Sequence, residues 1–211
     1  MRFFLLFLIY ILSFNCSFAQ QQSSWFEEAK EGNLSEIKNR IVYGVNINAR
    51  DENGITALMY ASGAGHIKVV KLLLFNGADV NINDENGVTA LMPASGAGHI
   101  EVVKILISYG ADVNAKNKNG YPALIFAGMR GRLEVVKYLI EQGVDINVTD
   151  GNEGTTLMWA SRNGHLEVVK YLVTNRAKIN AKDENGYTAL KKATLENHLE
   201  VIEYLKSKGA K

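Results

Sequence analysis

The residues most able to do chemistry are four histidines, His66, His99, His165 and His198, three directly after a glycine and the last after Asn197, all in register with a 33-residue period. Arg132 fills the vacant seat between His99 and His165. Imidazoles serve as general bases and as metal ligands. A seat repeated once per structural unit, however, puts each ring on a different unit. Packed helices sit about 8–10 Å apart, whereas zinc needs its ligands at about 2 Å. No metal site is expected, and each histidine should instead bond backbone at the loop between two helices.

The other candidate chemistries fail on spacing. Gly63-Ala64-Gly65 and Gly96-Ala97-Gly98 have the look of phosphate-binding loops but lack a preceding strand and a third glycine, so they read as helix ends. Asp79-Val80-Asn81-Ile82-Asn83 begins like a calcium loop, yet Asp84 occupies the seat of the sharp-turn glycine and Ala90 that of the bidentate glutamate. Glu101, Glu134 and Glu167 stand three residues before Lys104, Lys137 and Lys170, the spacing of ion pairs on a helix surface. With every histidine committed to the scaffold, no base remains for a Ser or Thr nucleophile. No catalytic residue and no cofactor is predicted; the chain is expected not to be an enzyme.

Residues 1–19 read as a signal peptide: Arg2 is the charged start, Phe3 to Leu12 the apolar run, and Ser17-Phe18-Ala19 the cleavage site before Gln20. The run is about half the ~20 residues needed to span a bilayer, so no stable membrane insertion is expected. A lipidated-cysteine signal is the alternative reading of Cys16, although Phe14 and Asn15 depart from the small residues such processing needs. Cleavage would remove the only cysteine and leave 22 basic against 22 acidic side chains, with no overall pull toward nucleic acid or anionic lipid. The mature protein is therefore expected to be periplasmic or secreted.

Those residues are positioned by a repeat. Sliding the chain by 33 superimposes residues 51–83 on 84–116 with 24 of 33 positions identical. Further units follow at 117–149 and 150–182, with a shortened C-terminal capping unit at 183–211 and a degenerate N-terminal one at 24–50; together they make residues 20–211 one domain. Within a unit, Asp51-Glu52-Asn53-Gly54 is a turn, Thr56 caps a helix from Ala57, and Gly65 ends it. Ile67 to Leu74 then forms a second, more apolar helix closed by Asn76-Gly77. Helices this short are marginal alone and need stacked neighbours to cover their apolar faces. Polar residues on the last unit, Lys191, Lys192, Glu196, Glu203, Lys206 and Lys208, should close the stack.

Gly54, Thr56-Ala57-Leu58-Met59, Gly65-His66, Val69-Val70, Leu72-Leu73 and Gly77-Ala78-Asp79-Val80-Asn81 resemble the ankyrin repeat. The resemblance implies an all-α solenoid of stacked helix-turn-helix units with β-turn fingers, binding a protein partner through finger tips and first helices. Two features of that family are missing: Ala replaces Pro at 57, 90 and 189, and Met replaces His at 59, 92 and 158. The hydrogen bonds of that histidine must be replaced or absent.

Candidate binding residues lie where the units stop repeating. One first-helix seat holds Tyr60, Pro93, Phe126, Trp159 and Lys192, and the seat after the turn glycine includes Tyr121. Aromatics of this kind dominate interfaces, although they could equally pack between neighbouring first helices. Met129-Arg130 and Arg162-Asn163 replace the small pairs at 63–64 and 96–97, centring the expected surface on the third and fourth units. Pro93 should bend or shorten its helix, and Asp150-Gly151-Asn152-Glu153-Gly154, with its glycine displaced by one, should form a differently shaped finger. The expectation is a monomeric, exported scaffold or immunity-type inhibitor of another protein; the alternative is a secreted effector acting on a host protein.

Overall fold

The computed structural model describes residues 24–211; the signal segment, its cleavage site and Cys16 lie outside them. Helices come in pairs: α1 (24–31) with α2 (Leu34–Val42), α3 (Ala57–Ala64) with α4 (Ile67–Phe75), and α5 (Leu91–Ala97) with α6 (Ile100–Ser108). They continue as α7 (Ala123–Met129) with α8 (Leu133–Glu141), α9 (Thr156–Arg162) with α10 (Leu166–Thr174), and α11 (Ala189–Leu195) with α12 (Leu199–Ser207). First helices pack on first helices (α3 on α5, α5 on α7, α7 on α9, α9 on α11), and second helices on second helices. Two helical layers result, with one core running from Trp25 to Leu205.

Local chemistry sets each element. Thr56, Thr155 and Thr188 accept the N–H three residues on and so start α3, α9 and α11. Gly65 and Gly98 end α3 and α5 in the left-handed conformation, as the sequence predicts. Val69, Val70 and Leu73 are buried on α4, and the matching Val102, Val103 and Leu106 on α6; a fully buried leucine contributes about 2 kcal/mol. Between pairs the chain turns back through single antiparallel bridges, such as Arg50 with Thr56 and Thr149 with Thr155. These fingers are tied in series: Glu85 N–H donates to the Asn53 carbonyl at 3.0 Å, and Gly151 N–H to that of Asn119 at 3.0 Å.

One expectation holds and one needs correction. Pro93 does shorten its helix, which starts at Leu91 where its counterpart starts at Ala57, but this places proline in the first turn, where its missing N–H costs little. Met92 N–H turns to the Thr89 carbonyl, and the buried Thr89 hydroxyl, whose counterpart Thr56 caps α3, is left without a partner. The finger at 150–154 keeps the common shape. Glu153 adopts φ 59° in the seat Gly54 occupies at φ 80°, and Gly154 N–H still donates to Asp150 Oδ1 at 2.8 Å. Backbone hydrogen bonds of the turn outweigh the local strain of a non-glycine residue there.

Candidate functional site

The histidine seat is structural, and it joins units. Nε2–H of His66, His99, His165 and His198 donates to the carbonyls of Lys30, Gly63, Met129 and Arg162, each in the preceding unit, at 2.7–3.2 Å. Arg132 does the same to Gly96 at 3.1 Å. The adjacent glycine serves the opposite neighbour: a Cβ on Gly65 would lie 2.7 Å from the His99 ring, and one on Gly131 2.6 Å from that of His165. Glu101–Lys104, Glu134–Lys137 and Glu167–Lys170 form the expected exposed ion pairs at 2.7–2.8 Å.

The first-helix seat that carries the aromatics has a second role, not read from the sequence. Tyr60 OH donates to Asp51 Oδ2, and Trp159 Nε1–H to Asp150 Oδ2, both at 2.7 Å. Lys192 pairs with Asp183 Oδ2 at the same distance, so it points into the stack and not to solvent. In each case the aspartate's other oxygen accepts two backbone N–H groups of its own turn, for example Asn53 and Ile55 at Asp51. The seat thus braces the finger to the first helix. Where Phe126 offers no donor, the turn residue is the neutral Asn117. Pro93 leaves Asp84 without this brace, and nothing in the structure explains that departure.

Ionisation follows the same contacts. Burial, then the hydrogen bond to Asp51 and that carboxylate's charge, push Tyr60 up to about 12. Burial raises Asp183, but the Lys192 hydrogen bond and the turn N–H groups outweigh it and hold the carboxyl below its usual range. Tyr121 is raised by burial and then by the Asp150 charge, with Arg162 opposing.

The aromatic row divides in two. Tyr60 lies against Phe26 of α1, with ring centroids 6.2 Å apart, and takes no part in the later cluster. Tyr121 stands edge-on to Phe126 at 6.1 Å and to Trp159 at 5.7 Å, bridging the third and fourth units. Tyr60, Tyr121, Phe126 and Trp159 are half-buried, and Phe26 is buried. Trp159 also carries two cations, Arg162 and Lys192, each 5.6 Å from its ring centre. Beside it opens a shallow groove of about 550 Å³ lined by Met129, Arg130, Trp159, Arg162, Asn163, Glu196 and His198. Five of these seven were candidates from the sequence.

Glu196 and His198 were missed because they belong to the capping unit. Glu196 pairs with Arg162 at 3.3 Å across a separation of 34 residues, so the only signal was the repeat period itself.

Repetition of seat, turn and inter-unit bond matches a known family. A family model described as Ankyrin repeats (3 copies) matches residues 26–117, 68–150 and 124–211. The chain belongs to the ankyrin repeat family. No curated protein matches it. Ankyrin repeats are protein-binding scaffolds, which makes this chain a protein–protein interaction module. Among the described residues no helix is long and apolar enough to cross a membrane.

Proposed function

We propose that this ankyrin stack is an exported scaffold that masks one protein partner, as an inhibitor or immunity-type factor, and acts by binding alone. The partner docks on the third and fourth units. The observation that carries this reading is the groove beside Trp159: that half-buried ring, held edge-on by Tyr121, forms part of its wall while Arg130, Arg162 and Asn163 remain exposed around it. An aromatic anchor ringed by polar groups that still reach solvent is the composition of an interface centre. Small residues fill the equivalent seats at 63–64 and 96–97, so the stack itself does not require the large ones. Export rests on the leader composition of residues 1–19.

Residues 20–211, used as bait in extracts of the source organism, should retain a partner that an Arg130→Ala, Arg162→Ala, Asn163→Ala triple variant loses. These side chains are exposed, so the variant should melt like the parent. Equal capture by both would reject the groove. Export is checked by the mass of the protein recovered from cells, which should begin at Gln20.

A further inference from the structure

A second surface lies on the second helices α2, α4 and α6 of residues 24–116, away from the groove. Val42, Tyr43 and Phe75 are 82%, 88% and 82% exposed, and Tyr109 is 49% exposed. They occupy two adjacent seats at the C-terminal ends of α2, α4 and α6, which pack side by side, so their side chains line one edge of the stack. The repeat does not need them apolar. The same seats hold Glu141 and Gln142, Thr174 and Asn175, and Ser207 and Lys208 in later units. Between Phe75 and Tyr109 the surface continues as an open trough floored by Leu34, Leu72 and Ile105 and edged by Lys38, Lys68 and Lys71.

Those lysines have no acidic partner among the described residues. Lys68 stands where later units place Glu101, Glu134 and Glu167, the residues that neutralise the lysine three positions on. The overall charge balance therefore hides a separation along the outer layer: α4 carries two lysines and no acid, whereas α8 carries two glutamates and one lysine.

We propose that this edge docks peripherally on an anionic phospholipid surface. Projecting ring and valine tips at one level, flanked by long cationic side chains, suit shallow insertion at a headgroup boundary. The trough is open and its most exposed apolar residues project from one edge, which suits a fluid headgroup layer better than the close shape match a folded partner needs. Each lysine near an anionic surface strengthens adsorption about fivefold.

The core runs unbroken from Trp25 to Leu205, so residues 20–211 contain the whole described stack and lack the apolar leader as a competing anchor. That chain should cosediment with mixed phosphatidylglycerol–phosphatidylcholine vesicles, far less with phosphatidylcholine alone, and should be released by about 0.5 M salt. Lys68→Gln with Lys71→Gln should weaken binding about 30-fold. Tyr43→Ser with Phe75→Ser should weaken it at least about tenfold while thermal melting stays within a degree or two of the parent, since these tips are solvent-exposed. No cosedimentation, equal binding to neutral vesicles, or lysine and tip variants that bind like the parent would overturn the proposal. So would an acidic protein captured through Lys68 and Lys71 by a chain that ignores vesicles.

Discussion

Gly128 in α7 makes room for Thr156 in α9: a Cβ on Gly128 would lie 2.3 Å from Thr156 Cγ2. Elsewhere the same two seats hold Ser62 with Ala90, Ser95 with Ala123, and Ser161 with Ala189. Small and large have exchanged sides at one junction, between the two units that carry the candidate groove. Mid-helix Gly→Ala normally stabilises by about 1 kcal/mol. Here overpacking, which costs about 1–3 kcal/mol, should win, so Gly128→Ala is expected to lower the melting temperature. Adding Thr156→Ala should restore it. A single variant that melts above the parent would show that the junction relaxes without cost.

Glu153 holds a positive φ that glycine holds in its sister turns. Left-handed backbone costs a non-glycine residue about 1–2 kcal/mol, part of which glycine returns as unfolded-state entropy. Glu153→Gly should therefore stabilise the stack by about 0.5–1 kcal/mol in urea unfolding, with an unchanged m value. Destabilisation would mean the Glu153 side chain makes a contact that offsets the strain.

Trp159 serves the scaffold and the groove at once. Trp159→Phe keeps most of the ring but removes the Nε1–H that Asp150 Oδ2 accepts, leaving a buried carboxylate oxygen short of a donor. A loss of about 1–3 kcal/mol is expected in denaturant unfolding. A variant as stable as the parent would show that water replaces the indole.

Tyr60 gives the alkaline limb of stability. Its folded pKa stands above its unfolded value, so the neutral hydroxyl contributes stability that is whole below pH 10 and is lost as pH rises toward about 12. Tyr60→Phe should start less stable at pH 8 and lose less than the parent between pH 10 and pH 12 in urea titrations. Parallel pH curves for both proteins would contradict the Asp51 contact.

The stack was legible because its signals repeat: the Asp-x-x-Gly turn, the Thr cap, the Gly-His loop and the paired valines each recur at 33 residues. Which neighbour each residue serves was not. His99 bonds Gly63, 36 residues back, and the period alone does not say whether a ring reaches its own loop or the previous one. The groove was partly legible, since departures from the repeat marked Met129, Arg130, Arg162 and Asn163, but two effects escaped. Tyr60 sits in the same seat as Phe126 and Trp159, yet Pro93 interrupts the row and Phe26, outside the regular units, claims its ring. The aspartate brace escaped because Tyr, Trp and Lys share only a donor, a property that a search for aromatic anchors passes over.

The central claim is that a partner occupies the groove of the third and fourth units. Hydrogen–deuterium exchange on the captured complex tests it most directly. Protection is expected at residues 121–131 and 150–163, around Tyr121, Arg130, Trp159 and Arg162, with the second helices unchanged. Protection confined to the second helices, with those segments exchanging as in the free protein, would contradict it.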